Sequence, residues 1–287
     1  MPWSSMPEES RRESKPKESK LDITDRLIAR RGGFAGVALL VAAAALAPSA
    51  SGQGRGAYTP SKGWDGHADL TGIWEAFGAP AGDSIEARNA AWGIRATLGS
   101  VTDPPGGLLP YKPEAVATRN ANFKNRAQLD STNKCYMPGV PRLMYMGYPF
   151  QIFQSSKFVI VASEYMHTYR TIYVDGSKHL DSVDFYDGDS RGHWEGDTLV
   201  VDVTNFNDQT WFDKAGNYHS DALHVVERFT RTSADTMTYT ATVEDPKVFT
   251  RAFTITVPMF RHTEANARLL EYECQSYRED EASGNPR

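Results

Sequence analysis

Four charged residues alternate with other residues along predicted strands, in positions whose remaining members are apolar and are expected to face the core. Residues two apart on a strand share a face, so each charge can be assigned to a row with its apolar neighbours. The rows are Phe158-Ile160-Ala162-Glu164, Arg170-Ile172-Val174, Leu223-Val225-Glu227-Phe229 and Arg251-Phe253-Ile255-Val257. Burying a charge is costly unless it is paired, so we expect these two acids and two arginines to meet partners or a ligand.

Two kinds of site fit these charges besides a structural salt-bridge network in the protein wall. In an enzyme, Glu164 or Glu227 removes a proton, and Arg170 or Arg251 stabilises the developing oxyanion of a lyase, isomerase or hydrolase reaction. In a binding protein, the same arginines hold the anionic end of a small organic ligand and no reaction follows. The sequence leaves both functions open.

Histidines are concentrated in the same part of the chain. Five lie within one stretch, namely His167, His179, His193, His219 and His224. Neutral imidazole is a general acid or base near pH 7, and we expect His167 or His224 to assist the glutamates. The spacing contains no His-Glu-x-x-His pair, so we predict neither a metal site nor a cofactor, and metal ligation by several of these histidines stays the open alternative.

Aromatic residues are numerous around these charges. They include Tyr145, Tyr148, Tyr165, Tyr169, Tyr173, Trp194 and Trp211. Most are expected in the core, but small-ligand sites combine aromatic walls with a few polar groups. We therefore assign Tyr173 and Trp211 to the binding site, beside Arg170 and Arg251.

The elements that must position these residues have the pattern of strands. Short alternating or apolar runs separated by tight turns follow Phe150, without intervening helices. We predict strands at 69–74, 158–164, 169–174, 199–203, 223–230, 237–243, 251–257 and 268–274. They predict an all-β fold, an antiparallel meander closing into a barrel or sandwich, with one peripheral helix over 113–130.

The first fifty residues have the features of a secretory signal peptide. A charged segment ending in Arg30-Arg31 precedes a charge-free apolar run over 33–47 and a small-residue exit. The run is shorter than the roughly 20 residues that a membrane-spanning helix requires. We predict a signal peptide over 1–52, with a retained anchor or a core helix as alternatives, and hence a periplasmic or secreted protein without a stable membrane span after cleavage. The export route, general or twin-arginine, stays open.

Residues 53–68 are predicted to be a linker, 69–278 a single domain, and 279–287 a frayed, charged tail. Removing residues 1–52 takes away eight basic and six acidic residues, which changes the net charge from −5 to −7. An acidic chain without a Lys/Arg cluster lacks the electrostatic footprint of a nucleic-acid-binding protein. We therefore expect a small organic ligand or substrate as the partner, and no nucleic acid.

The chain contains two cysteines, Cys135 and Cys274. In an exported protein such a pair most often forms one disulfide. Two separate buried thiols are the alternative.

Two resemblances bear on the fold. Gly72-Ile73-Trp74 resembles the Gly-x-Trp of lipocalins and related barrels, which implies a lipocalin-like barrel. A longer run, from Trp194 to Asp202, resembles a family of exported bacterial proteins of largely unassigned function. The resemblance extends to upstream segments and to later residues, namely Cys135, 138–142, 149–152, Phe206-Asn207, Trp211, Asp213, His219-Ser220 and Glu227-Arg228. The likeness covers about 69–276 and implies export and one domain, but no activity.

Overall fold

The computed structural model describes residues 58–78, 82–90, 94 and 96–283. The predicted signal peptide and residues 284–287 of the predicted tail lie outside this range. Ten strands are present in the described residues: β1 Gly72–Ala76, β2 Val101–Asp103, β3 Phe150–Gln154, β4 Phe158–Ser163, β5 Tyr169–Tyr173, β6 Asp189–Glu195, β7 Thr198–Thr204, β8 His224–Arg231, β9 Thr236–Glu244 and β10 Phe253–Arg261. The α-helices are α1 Pro113–Lys124, α2 Arg126–Leu129 and α3 Cys274–Ser283.

The strands close into a barrel through the two edges of β10. One edge pairs with β9 along its length, and the other pairs with β1 at one end and with the short strand β2 at the other. The strand order β1-β3-β4-β5-β6-β7-β8-β9-β10 returns to β1, so nine of the described strands form the barrel and β2 lies outside it. Closure leaves these strands without a free edge. The predicted all-β barrel is confirmed.

One pairing differs from the predicted antiparallel meander. Strands β5 and β6 run parallel, with Ile172 opposite Ser190 and Tyr173 opposite Arg191. Parallel neighbours cannot be joined by a tight hairpin, so the chain crosses over between them through residues 174–188. This two-residue pairing is the shortest contact in the wall of the barrel.

Alternating residues of the strands fill the barrel. On β8 the buried row contains Val225, Glu227 and Phe229, as the sequence predicts. On β4 the parity is the opposite of the prediction, because Val159, Val161 and Ser163 are buried. The row that ends in Glu164 therefore belongs to the outer face. The run Phe158 to Ala162 is apolar on both parities, so alternation could not decide between them.

Two other predicted elements differ from the structure. The predicted helix over 113–130 divides at Asn125 into α1 and α2. The predicted strand over 268–274 is an extended segment followed by α3, and it makes only a single bridge, from Tyr272 to Tyr165. The barrel closes between β1 and β10, which leaves no free barrel edge for a further strand.

The described part of the predicted linker, from Tyr58 onward, contacts the barrel. Trp64 Nε1 donates a hydrogen bond to the carbonyl oxygen of Gln154 at 3.2 Å, and Gln154 Nε2 donates to Asp65 Oδ2 at 2.8 Å. Among the helices that the structure describes, none has the length and apolar character needed to cross a membrane.

A disulfide joins Cys135 to Cys274, which are 139 positions apart in sequence. Both residues are buried. The predicted bond is confirmed, and it ties the irregular segment before β3 to the first residue of α3.

Replacing both cysteines with serine should lower the free energy of unfolding by about 5 kcal/mol, because the bond closes a loop of 139 residues in the unfolded chain. Urea unfolding of the Cys135→Ser/Cys274→Ser protein and the parent chain measures the difference. Thiol titration of the unreduced, denatured parent should find no free sulfhydryl. A loss below about 1 kcal/mol would mean that the bond does not constrain the unfolded state.

Candidate functional site: a cavity at the parallel seam

An ion pair is buried inside the barrel between β5 and β8. Arg170 Nη1 donates to Glu227 Oε1 at 3.0 Å, and Nη2 donates to Oε2. The remaining contacts complete the shell: Arg170 Nε donates to Ser190 Oγ at 2.9 Å, and the Tyr239 hydroxyl donates to Glu227 Oε1 at 2.8 Å. Glu227 is fully buried, and both of its oxygens accept hydrogen bonds.

Tyr239 remains a donor in this network. Burial raises the pKa of its hydroxyl well above the usual value, and the negative charge of Glu227 raises it further. The pair therefore meets the condition for burying charge, since each ion has its counterion and additional hydrogen bonds.

A cavity of about 400 Å³ lies beside this pair, at the seam where β5 and β6 run parallel. Its lining includes both strands and the crossover between them. The polar members are Arg170, Thr171, Asp184, Asp187, Asp189 and Ser190, and the apolar and aromatic members include Met137, Tyr169, Tyr173, Leu180, Phe185 and Tyr186. Aromatic walls with a few polar groups are typical of small-molecule sites.

Asp187 is the unusual group in the lining. Its side chain is 7% exposed, and Oδ1 accepts a hydrogen bond from the backbone N–H of Gly139 at 3.1 Å. Its Oδ2 is buried and finds no hydrogen-bond partner among the described residues. Burial raises the pKa of Asp187 to about 6, although the positive charge of Arg170 opposes the shift. A carboxyl with this pKa can both accept and return a proton near neutral pH.

The residue after Asp187 must be glycine. Gly188 has a φ of +69°, and a Cβ there would lie 2.6 Å from Val203 Cγ1 and 2.7 Å from Phe206 Cζ. Close packing of the crossover against the barrel at Gly188 thus fixes the backbone next to Asp187 and the direction of the Asp187 side chain.

Hydrogen bonds hold the rest of the crossover in place. Asp189 Oδ2 accepts from the N–H of Leu180 at 2.8 Å, and Asn205 Nδ2 donates to the carbonyl oxygen of Leu180 at 2.7 Å. The N–H of Phe185 donates to the carbonyl oxygen of Asn205 at 2.8 Å. Leu180 and Phe185 of the cavity lining are therefore anchored to Asp189 and Asn205.

Three of the predicted site residues meet at this seam. Arg170 and Tyr173 line the cavity, and Glu227 lies behind Arg170 without being part of the lining. The guanidinium of Arg191 stacks on the ring of Tyr173, with its Cζ 4.7 Å from the ring centroid.

The structure places four others elsewhere. Glu164, which directly follows β4, accepts a hydrogen bond from the N–H of Leu270 at 2.8 Å. Arg251 precedes β10 and forms a surface ion pair with Asp103, because the strand begins two residues later than predicted. His167 is exposed, with Nε2 3.1 Å from Glu273 Oε1. Trp211 is buried in a bridge to Tyr218, outside the cavity lining.

His224 faces outward from β8 and belongs to a different cluster. Its Nε2 is 2.8 Å from Asp202 Oδ2, and His179 Nε2 is 2.7 Å from Asp202 Oδ1. Partial burial favours a raised pKa for Asp202, but the hydrogen bonds from His224 and His179 outweigh it and lower the pKa. Since His179 lies on the crossover, this cluster fastens the crossover to the outer wall. Within the described residues, no group of three or more potential ligands is arranged to hold a metal ion.

Sequence reasoning missed the acidic residues of the crossover. They stand in the run Asp184-Phe185-Tyr186-Asp187-Gly188-Asp189, where acids and aromatics are interleaved up to the first residue of β6. Strand alternation cannot identify them, because most of this run lies outside a strand. The available signal was an acid beside two aromatic residues and a glycine, which is consistent with a packed turn.

Comparisons with protein-family models, curated proteins and solved structures find no match to this chain. The family resemblance of the sequence therefore stays a prediction.

Glu227→Gln should lower the free energy of unfolding by about 3–5 kcal/mol, because it leaves the buried charge of Arg170 without its counterion. Tyr239→Phe removes one donor from the same network and should cost about 1 kcal/mol. Urea unfolding measures both. The matched control is Glu195→Gln, which removes an exposed acid paired with Arg228 and should change stability negligibly. Equal stability of Glu227→Gln and the parent would contradict the structural role of the pair.

Asp187→Asn should make the protein more stable at pH 7 and reduce the pH dependence of its stability. An acid whose pKa is raised on folding binds its proton more tightly in the folded state, so stability falls as pH rises from about 4 to about 6. The difference between the usual 3.8 and about 6 corresponds to about 3 kcal/mol at pH 7. Asparagine retains an acceptor for Gly139 and does not titrate.

Unfolding free energies at pH 4.5, 6.0 and 7.5 test this expectation for both proteins. Asp213, whose pKa burial also raises to about 6, is present in both, so its contribution cancels in the difference. Parallel stability curves for the two proteins would show that Asp187 has no raised pKa.

Proposed function

We propose that this protein is an exported β-barrel that binds a small organic molecule in the seam cavity and transfers a proton to or from it through Asp187. One observation supports this most strongly: Asp187, which lines the cavity, has a buried carboxyl oxygen without a hydrogen-bond partner among the described residues. Leaving such a group unpaired costs stability, and that cost has an explanation when a ligand supplies the missing donor.

Arg170 has a supporting role in this proposal. Its guanidinium carries five N–H donors, of which Glu227 and Ser190 use three. The ion pair and the Ser190 contact hold the guanidinium in one orientation. Its two other N–H groups can stabilise an oxygen on which negative charge develops during a lyase, isomerase or hydrolase reaction.

Glu227 is a positioning residue here and not the base. Both of its oxygens are engaged, and it is separated from the cavity by Arg170. Asp187 replaces it as the proton acceptor, because Asp187 lines the cavity and its pKa is raised to about 6 by burial. A base with a pKa near the working pH is effective in both directions of proton transfer.

A binding protein without catalysis is the second candidate. The observation that favours it is the composition of the lining, in which anchored aromatic and apolar residues outnumber groups that can titrate. Such a wall gives affinity through buried apolar area and needs no chemistry. The export proposed for both candidates rests on the sequence of residues 1–52.

The first experiment is a thermal-shift screen of metabolites on the full chain, followed by turnover assays on the compounds that bind. A ligand at 100 times its Kd should add about 2.7 kcal/mol to the unfolding free energy. With a substrate in hand, Asp187→Asn should lower kcat at least 100-fold at saturating substrate, a larger effect than its change in Kd, because it removes the base but keeps the shape.

Asp235→Asn, in the turn between β8 and β9, is the matched control and should leave both constants unchanged. Retention of full turnover by Asp187→Asn would exclude the proposed chemistry. Binding without turnover of any hit would favour the non-catalytic candidate.

A further inference from the structure

The charges around the seam cavity do not balance. Its lining contains three aspartates, Asp184, Asp187 and Asp189, and one arginine, Arg170. The charge of Arg170 is already neutralised by the bidentate contact with Glu227. Among the described lining residues, no cation is therefore left unpaired to balance the full charge of an anionic ligand.

The three acids differ in their partners. Asp189 is paired with Arg191, whose Nη1 lies 2.6 Å from Asp189 Oδ1. Asp184 is exposed and forms no ion pair with any described residue. Asp187 is 7% exposed, and one of its oxygens has no hydrogen-bond partner in the described part of the chain. Two negative charges thus remain at the cavity, one at its rim and one buried in its wall.

The remaining wall suits the body of an organic cation. Tyr169, Phe185 and Tyr186 contribute aromatic rings to the lining. Tyr169 is 70% exposed, so its ring is available to a ligand. A cation within about 6 Å of an aromatic ring face is attracted by the ring quadrupole, and the attraction is greater where water is excluded. Aromatic rings and unbalanced carboxylates together select for positive charge.

We propose that the ligand of the seam cavity is an organic ammonium, a primary or secondary amine on an aromatic or apolar body, whose N–H donates to Asp187. This inference rests on the proposed function, because it names the ligand class of the same site. It reverses the expectation from sequence that Arg170 holds an anionic group. The reason is geometric, because the charge of Arg170 is balanced by Glu227, which is buried inside the barrel.

A bound ammonium also changes the protonation of Asp187. Burial raises the pKa of this carboxyl to about 6, and a cation in hydrogen-bond contact lowers it by favouring the charged form. The other charged groups near it are Arg170 on β5, Glu227 on β8, and Asp184 and Asp189 on its own segment. Binding near pH 6 should therefore release a proton from Asp187.

The test uses three probes that share one aromatic body: tyramine, the neutral alcohol tyrosol, and 4-hydroxyphenylacetate. Isothermal titration calorimetry on the full chain at pH 7.5 should show tyramine binding at least tenfold more tightly than tyrosol, and 4-hydroxyphenylacetate binding most weakly. Repeating the tyramine titration at pH 6 in buffers of different ionisation enthalpy measures the protons released, which should be about half of one.

Asp187→Asn should abolish the preference for tyramine over tyrosol and the proton release, while tyrosol still binds. Asp235→Asn, the control away from the cavity, should retain both. Thermal unfolding of each variant verifies that it is folded. A folded Asp187→Asn protein that retains the tyramine preference would overturn the inference.

The outcomes separate this inference from the proposed function. Equal affinities for the three probes, or tightest binding of 4-hydroxyphenylacetate, would overturn the ammonium ligand and leave a small-molecule site in place. Absence of binding by all three probes would overturn the ammonium inference as stated. If, in addition, no compound in the metabolite screen binds, the proposed function fails with it.

Discussion

The buried ion pair between Arg170 and Glu227 is the interaction on which the seam depends. It joins β5 to β8 across the inside of the barrel, and Ser190 at the start of β6 and Tyr239 on β9 complete its hydrogen bonds. The ion pair and its hydrogen bonds thus connect side chains from four strands. A buried charge tolerates little displacement from its counterion, so the pair restricts how these strands can shift relative to one another.

The same ion pair accounts for the state of the Asp187 carboxyl at the cavity. Arg170 is paired with Glu227 and forms no ion pair with Asp187, although its positive charge opposes the rise in the pKa of Asp187. The result is a carboxyl that is buried, incompletely hydrogen-bonded and raised in pKa to about 6. Groups with these properties are concentrated at functional sites, since a fold selected only for stability would pair or replace them.

The cavity lies where regular strand pairing is least extensive. Elsewhere, alternating apolar residues fill the barrel, whereas β5 and β6 share only two paired residues and are joined by a crossover that covers their junction. The crossover is fastened on one side by Asp189 and on the other by the contact of His179 with Asp202. Irregular backbone at this point leaves room for the cavity beside the paired strands.

Local patterns in the sequence were sufficient for the β architecture, the disulfide, and the inward direction of Arg170 and Glu227. On β5 and β8 each inward apolar row alternates with polar residues, so parity is readable from the chain alone. On β4 both faces are apolar, and the parity of Glu164 could not be read. Arg251 followed the correct parity but preceded its strand, since element ends depend on which edges are free to pair.

By itself, the sequence determined the positions of most of the barrel strands and the burial of Arg170 and Glu227, because alternation and the cost of burying charge are local properties. Only the tertiary structure decided which partner each charge meets. It paired Arg170 with Glu227 from 57 positions away, left Arg251 with Asp103 at the surface, and brought Asp187 to the cavity. These outcomes depend on barrel closure and on the parallel seam. They are contacts between distant segments, and no spacing along the chain encodes them.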